Sequence, residues 1–577
     1  MKVKLARNAG FCMGVRRAME IVLTEANKDD GPIYTYGPLI HNRQVMDLLS
    51  SKGVHSLTNL GELKSGTIVI RAHGIPPQSR KKIRNMGLRL VDATCPRVAK
   101  VQAIIRSYTR KGHSAIIVGD PDHAEVIGLM GYSETPANVI RDIDEVSGLP
   151  RIDHPFVVAQ TTQNAKKYDE IIHALKTRFP DLLVFNTICD ATQQRQEEVR
   201  SIAQNVDAMV VVGGYHSGNT QRLAELSREV GLPTFHVETE KDLKRQELSA
   251  MEKIGVTAGA STPNWMINNV VKEIEGIKGR TRGSFSLTFK EVCKFLLLSN
   301  FLVASGAFGL TLAASILFSR PPLIAFSLLS FLYIHAMHVL NHFLDKGASA
   351  YNDPEKAFYL EKYRNPLIIS ATVSILIALF VSFHIGISTF LAIAGLTLLG
   401  ALYSMPLFPI RFRGKYRYVK IKDIPGSRSL SEAIAWTAVI SVLPFLESES
   451  IRWNAMLLSI FVVFLISYVR SALFDIFQAQ GDLIVGTETL PVTLGEEKTL
   501  RLLKIILILT AMTLALGPLT GLVGRFSYVM LLPIITLSTC LLAYERHWIY
   551  PGNALEALIE ANFIFSGIIA LIWRFFR

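Results

Sequence analysis

Residues 208–223 read AMVVVGGYHSGNTQRL, and this stretch decides the fold class of the first half of the chain. The valine-rich run is too short for a helix and is stopped by two glycines, while the residues after Ser217 have a capping hydroxyl and helical spacing. A short apolar strand that runs straight into a helix is the pattern of a parallel sheet covered on both faces. The same pattern recurs outward in TIVIRAHG (67–74), SAIIVGD (114–120), FVVAQTT (156–162) and IGVTAGASTP (254–263). Residues 1 to about 280 are therefore expected to form an α/β fold.

Ligands in such sheets collect beyond the carboxyl ends of the strands. The residues just past the runs are His73, then His123 and Glu125, then Thr161, then Ser217 and Asn219, then Ser261. Singly, each is an ordinary turn or cap residue. Together they offer imidazole, hydroxyl and amide donors that suit a phosphate or diphosphate. Three cysteines fall at comparable places: Cys12 in NAGFCMGV (8–15), Cys95 in DATCPRV and Cys189 in NTICDAT, at intervals of 83 and 94 residues. A lone cysteine is usually a small buried hydrophobe. Three at repeat-like spacing predict a shared metal site with one thiolate from each of three α/β units. Structural zinc would want a fourth ligand. A 4Fe-4S cluster on three thiolates leaves one iron open to substrate, which points to a reductase.

The chain has 577 residues, too many for one core, and 49% of them are hydrophobic. Mean hydropathy is +0.30. The apolar residues concentrate after about residue 293, in nine segments near 293–318, 321–343, 366–386, 388–406, 430–446, 453–475, 499–521, 527–543 and 553–574. Most are long enough to span a bilayer. Cys293 and Cys540 fall at or within these segments, where packing accounts for them, and no CxxC pair occurs. The net charge of +13 comes without a basic stripe interleaved with aromatics, so no nucleic-acid partner is expected; many positive residues flank apolar segments instead. The predicted division is an α/β domain at 1–277, a basic linker at 278–292 and an all-α membrane domain at 293–577. MKVKLARNAG lacks the apolar run of a secretion signal, so the first half is expected in the cytosol. The basic loop RFRGKYRYVKIKD (411–423) then falls on the cytosolic side, as the positive-inside rule asks. Asp345, after the second segment, and Asp475 and Asp482, after the sixth, read as loop carboxylates on that same side. Singly they are hydrated loop residues; as two acidic sites they suit Mg2+ against a diphosphate.

GFCMGV, HNRQVMDLL, RAHGIPP, DATCPRVAKV, DHAEVIGLMG, AQTTQN, SGNTQRLAEL and VTAGASTP occur in that order over residues 1 to about 277. In these motifs the first half closely resembles the 4-hydroxy-3-methylbut-2-enyl diphosphate reductase family (LytB/IspH), the last step of the methylerythritol phosphate route to isoprenoids. The resemblance implies three α/β units around one 4Fe-4S cluster held by Cys12, Cys95 and Cys189. It implies that hydroxymethylbutenyl diphosphate is bound by His41, His73, His123, Thr161, Ser217, Asn219 and Ser261. Glu125 would donate protons, with Thr161 orienting the substrate hydroxyl, and the products would be isopentenyl and dimethylallyl diphosphates. No Rossmann or flavin fingerprint is visible, so a separate ferredoxin or flavodoxin-like electron donor is expected.

The second half resembles the UbiA superfamily of membrane prenyltransferases in Asn341, Asp345, YSMP (403–406), KIKDIPG (420–426) and GDLIVGTETLPVTLG (481–495). The resemblance implies a polyprenyl diphosphate bound at Asn341, Asp345 and Lys422, Mg2+ at Asp345, Asp475 and Asp482, and transfer to an acceptor. Ser349 and Gln478 stand where that family typically has aspartates. The expected protein is thus a reductase fused to a prenyltransferase in the bacterial cytoplasmic membrane. The alternative is that the membrane half is a catalytically silent anchor or lipid-binding module. An iron-sulfur electron carrier without its own substrate is disfavoured by the diphosphate donors.

Overall fold

A computed structural model describes the chain except residues 29–30, 60, 62, 64, 278–291, 293, 319, 345–353, 404, 406–407, 413–414, 420, 422–423, 425, 448–452, 486, 488, 522, 547, 550 and 577. It divides into two compact units, Met1–Thr281 and Arg282–Arg577.

The first unit contains β1 (Lys2–Leu5), α1 (Met13–Asn27), β2 (Ile33–Tyr36), α2 (Arg43–Ser51), β3 (Val54–Leu57), β4 (Thr67–Ile70), α3 (Pro77–Asn85), β5 (Arg89–Asp92) and α4 (Pro96–Thr109). It continues with β6 (Ser114–Val118), α5 (Ala124–Met130), β7 (Asn138–Ile140), β8 (Pro155–Ala159), α6 (Ala165–Arg178), β9 (Leu183–Val184) and α7 (Asp190–Ala203). It ends with β10 (Ala208–Val212), α8 (Gly218–Glu229), β11 (Thr234–Val237), α9 (Arg245–Ser249), β12 (Lys253–Ala258) and α10 (Asn264–Ile277). The strands form three four-stranded sheets in the orders β3-β2-β4-β5, β7-β6-β8-β9 and β11-β10-β12-β1. Every pairing within them is parallel.

The three orders are one topology used three times. The third sheet takes its fourth strand from the start of the chain, with Lys2 opposite Lys253 and Leu5 opposite Val256. Burial follows position in the sheet: β8 and β10 are buried at every residue, whereas the edge strands β5 and β9 have none buried. Fully buried valines and isoleucines such as Ile116, Val157 and Val210 supply the core, each worth about 1.5–3 kcal/mol of transfer free energy.

The second unit is helical apart from an antiparallel hairpin, Phe408–Phe412 with Lys415–Val419, which departs from the all-α expectation because the basic loop pairs with itself. Among the described residues, seven helices are long and apolar enough to cross a membrane: Ile324–Phe343, Arg364–Ile385, Ser427–Leu446, Trp453–Ala479, Glu496–Thr520, Phe526–Glu545 and Asn553–Phe575. Two shorter apolar helices, Phe301–Leu317 and Ile387–Tyr403, stand where the first and fourth predicted segments do. The chain is thus a multi-pass membrane protein. One expectation is corrected. Asp475 and Asp482 are not loop carboxylates, because the helix that begins at Trp453 runs on to Val485 and buries both. It can do so because Arg428 pairs with each of them. A second buried charge group holds four helices together: Arg470 pairs with Glu560 at 2.5 Å and also with Glu432, which meets His338 Nε2 at 3.3 Å. Groups this dry persist only when paired.

Candidate active site at the strand ends

Cys12, Cys95 and Cys189 are the N-cap residues of α1, α4 and α7. Each helix follows one edge strand of its own sheet, β1, β5 or β9, so the threefold repeat of topology places one thiol per unit at equivalent points. A helix N-terminus favours an anion, and a thiolate is the form that binds metal. The Val15 N–H donates to Cys12 Sγ at 3.5 Å. Burial pushes the Cys95 thiol up, opposed by the backbone N–H groups of Arg97 and Val98. Gly14 leaves room beside these sulfurs: a Cβ there would lie 2.5 Å from Cys95 Sγ and 3.9 Å from Cys12 Sγ. Gly10 serves the backbone instead, with φ +108° and Asn264 Oδ1 where its Cβ would be.

Buried Arg195 ties two of the cysteine segments together. It donates to Ala191 O on α7 at 2.9 Å and to Gly10 O, two residues before Cys12, at 2.7 Å. Among the described residues, His41, His73 and His123 bring ring nitrogens within 4.8 Å of one another. A single structural zinc would ask for a fourth ligand beyond the three thiols. The thiols, their helix N-termini and the space at Gly14 fit a larger cluster.

The remaining strand ends face the same cavity of about 90 Å³, lined by all three cysteines together with His41, His73, His123, Glu125, Thr161, Ser217, Asn219 and Ser261. The first sheet contributes His41 after β2 and His73 after β4. The second contributes His123 and Glu125 after β6 and Thr161 after β8. The third contributes Ser217 and Asn219 after β10 and Ser261 after β12. The three imidazole rings lie 4.9, 5.6 and 5.3 Å apart by pairs. His41 Nε2, His73 Nδ1 and Asn219 Nδ2 are buried without a hydrogen-bond partner, which is what a polar ligand would correct.

Desolvation, and then the neighbouring imidazoles and Arg71, hold His73 well below the ordinary histidine value. Desolvation and then His41 push His123 down to about 4. Three imidazoles this close would also suit a divalent cation, but Arg71 and Arg222 bear on them and turn the site toward an anion. Glu125 is buried; its carboxylate accepts from Thr161 N at 2.7 Å and Thr161 Oγ1 at 2.9 Å. Burial pushes its carboxyl above the usual range.

The LytB protein family model matches residues 3–275. The 4-hydroxy-3-methylbut-2-enyl diphosphate reductase of Alkaliphilus oremlandii is 42% identical over 279 residues, covering 48% of this chain and 100% of that protein. The chain belongs to the LytB family. The UbiA prenyltransferase family model matches residues 302–566, beyond the LytB half, so a UbiA-like domain is fused to it. Among solved structures, the E-1-hydroxy-2-methyl-but-2-enyl-4-diphosphate reductase from Plasmodium falciparum is 30% identical with a TM-score of 0.46, covering 47% of this chain and 87% of that one. A UbiA homolog from Archaeoglobus fulgidus, bound to DMAPP and Mg2+, is 17% identical with a TM-score of 0.35, covering 48% of this chain and 99% of that one.

Sequence reading of the LytB half missed Arg71, Arg195 and Arg222. Arg71 directly follows β4, and Arg222 lies on α8 in the SGNTQR motif, donating to Gln163 Oε1 at 2.8 Å and Asp120 at 2.8 Å. Their positions after strand ends were a usable signal; for Arg195, inside a polar helix, there was none. In the UbiA-like half, Asn341 lies in the last turns of the Ile324–Leu344 helix. Asp345, Ser349 and Lys422 lie outside the described residues. Asp475, Gln478 and Asp482 share one face of the Trp453–Val485 helix, and Arg428 sits among them, donating to Gln478 Oε1 at 2.9 Å.

Proposed function

We propose that the LytB half catalyses reductive dehydration of (E)-4-hydroxy-3-methylbut-2-enyl diphosphate. Two electrons and two protons enter, the C–O bond breaks, and water leaves with isopentenyl or dimethylallyl diphosphate. The observation that carries this reading is the convergence of three cap cysteines and the imidazole, hydroxyl and carboxyl groups on one cavity. A 4Fe-4S cluster on Cys12, Cys95 and Cys189 would supply the electrons and a Lewis-acid centre when bound. His41, His73, His123, Ser217, Asn219 and Ser261 bind the diphosphate. Glu125 keeps its proton in the dry pocket until the leaving hydroxyl needs it, and Thr161 orients that hydroxyl. The electrons come from an external ferredoxin or flavodoxin-like protein. Anaerobic purification with iron and sulfide analysis, followed by turnover with a chemical reductant, tests the reading; a cluster-loaded protein that does not release water from this substrate would refute it.

Diphosphate binding should take up protons. In the free site the neutral imidazoles are favoured, His123 falling to about 4 and His73 well below its usual value. A bound polyanion favours imidazolium, so the bound values are higher and affinity rises as pH falls through neutrality. Calorimetry with inorganic pyrophosphate in two buffers of different ionisation enthalpy should show a net uptake of roughly one proton per site at pH 7. Equal heats in the two buffers would contradict it.

For the UbiA-like half we infer binding of a prenyl diphosphate through Asn341, Asp345 and Lys422, with Mg2+ at the first acidic motif and transfer to an acceptor from within the bilayer. The family match and the apolar helices support this reading, and the basic 411–423 loop supports a cytosolic LytB half in the cytoplasmic membrane. Full-length protein in vesicles, given radiolabelled geranyl diphosphate and aromatic acceptors, should form a prenylated product. Retention of label without product would favour the lipid-binding anchor.

A further inference from the structure

The second acidic motif of the membrane half is closed around a cation that the chain itself supplies. Asp475, Gln478 and Asp482 are spaced three and four residues apart on the Trp453–Val485 helix, so all three fall on one face. Arg428 enters from the first turn of the Ser427–Thr437 helix, just after Gly426, whose φ of +72° turns the basic loop into that helix.

All three guanidinium nitrogens are engaged. Nε lies 3.5 Å from Asp475 Oδ1, and Nη1 lies 3.5 Å from both oxygens of Asp482. Nη2 donates to Gln478 Oε1 at 2.9 Å. The other Asp475 oxygen accepts from Ser429 Oγ. The carboxylates are dry, with side chains 3% and 0% exposed, whereas the Arg428 side chain is 32% exposed. Two buried carboxylates need a compensating charge, and the guanidinium provides it at ion-pair distance from both.

A divalent ion would need the same oxygens at about 2.0–2.6 Å. It would have to sit against a fixed positive charge, with one carboxylate of the motif replaced by the amide of Gln478. Gln478 thus brings an amide oxygen rather than a third anion to this face, and Arg428 brings the cation.

We propose that Arg428 is the resident cation of this motif, taking the place of a divalent metal, so that Asp475 and Asp482 bind none. The inference goes beyond prenyl transfer and does not depend on it, since an inactive anchor could carry the same guanidinium.

The test is a Mn2+ titration of the full-length protein, followed by electron paramagnetic resonance. Asp482→Asn should leave the number of bound Mn2+ ions unchanged. Arg428→Gln should gain one Mn2+ per chain, the double variant Arg428→Gln/Asp482→Asn should lose it again, and Arg428→Lys should gain none. The proposal is overturned if Asp482→Asn removes a Mn2+ from the otherwise native protein. It is also overturned if Arg428→Gln, with its thermal transition intact, gains none. Should Arg428→Gln not fold, the comparison of native protein with Asp482→Asn decides alone: equal binding upholds the proposal and a lost ion refutes it.

Discussion

Glu125→Gln is expected to lower the turnover of the reductase by about 10²–10⁴-fold, the usual worth of a positioned proton donor. The amide keeps the size of the side chain and can still accept from Thr161, whose N and Oγ1 now donate to the two carboxylate oxygens. What it loses is the proton. Because burial raises the Glu125 carboxyl, the native enzyme should slow as pH rises through that raised value. The variant should lack this alkaline limb, while KM and the iron content stay close to native. A large rise in KM with unchanged kcat would instead make Glu125 a binding residue.

Cys95→Ser should abolish turnover and lower bound iron and sulfide together. Serine is a favoured helix cap, so α4 keeps its start and the fold survives. The loss can therefore be assigned to the ligand rather than to unfolding. Far-ultraviolet circular dichroism should be native-like while the visible absorption of the cluster is reduced. Full activity in Cys95→Ser would remove the cluster assignment altogether.

The parts of the fold legible in sequence were those set by burial. Five strands announced themselves as apolar runs, β4, β6, β8, β10 and β12, and each lies inside its sheet with neighbours on both sides. β2 is also interior, but IYTY alternates with polar residues and gives no such run. The edge strands β1, β3, β5, β7, β9 and β11 carry mixed or exposed residues and are fixed by pairing rather than by their own composition. The cavity residues were legible because turn chemistry after a buried strand is a local signal. Arg195 and Arg428 were not, because each acts on segments distant in sequence: Arg195 on Gly10, and Arg428 on a helix some fifty residues further on. The membrane helix through Asp482 was cut short in sequence reading for the same reason, since only its partner makes a buried aspartate tolerable.

The pairing of β1 with β12 has a consequence for the order of events during synthesis. Cys12 precedes Cys95 and Cys189 in the chain, yet the strand before it, β1, gains its partner only once Lys253–Ala258 has been translated. The third sheet, and the placing of Cys12 beside it, therefore wait until β12 is present. Closure across so long a loop is a late, slow step. It falls just before the first apolar helix, Phe301–Leu317, is made. Completion of the third sheet and emergence of the apolar helices are therefore crowded into one short interval of translation, and a delay in β12 leaves an open sheet edge exposed while hydrophobic segments are being made.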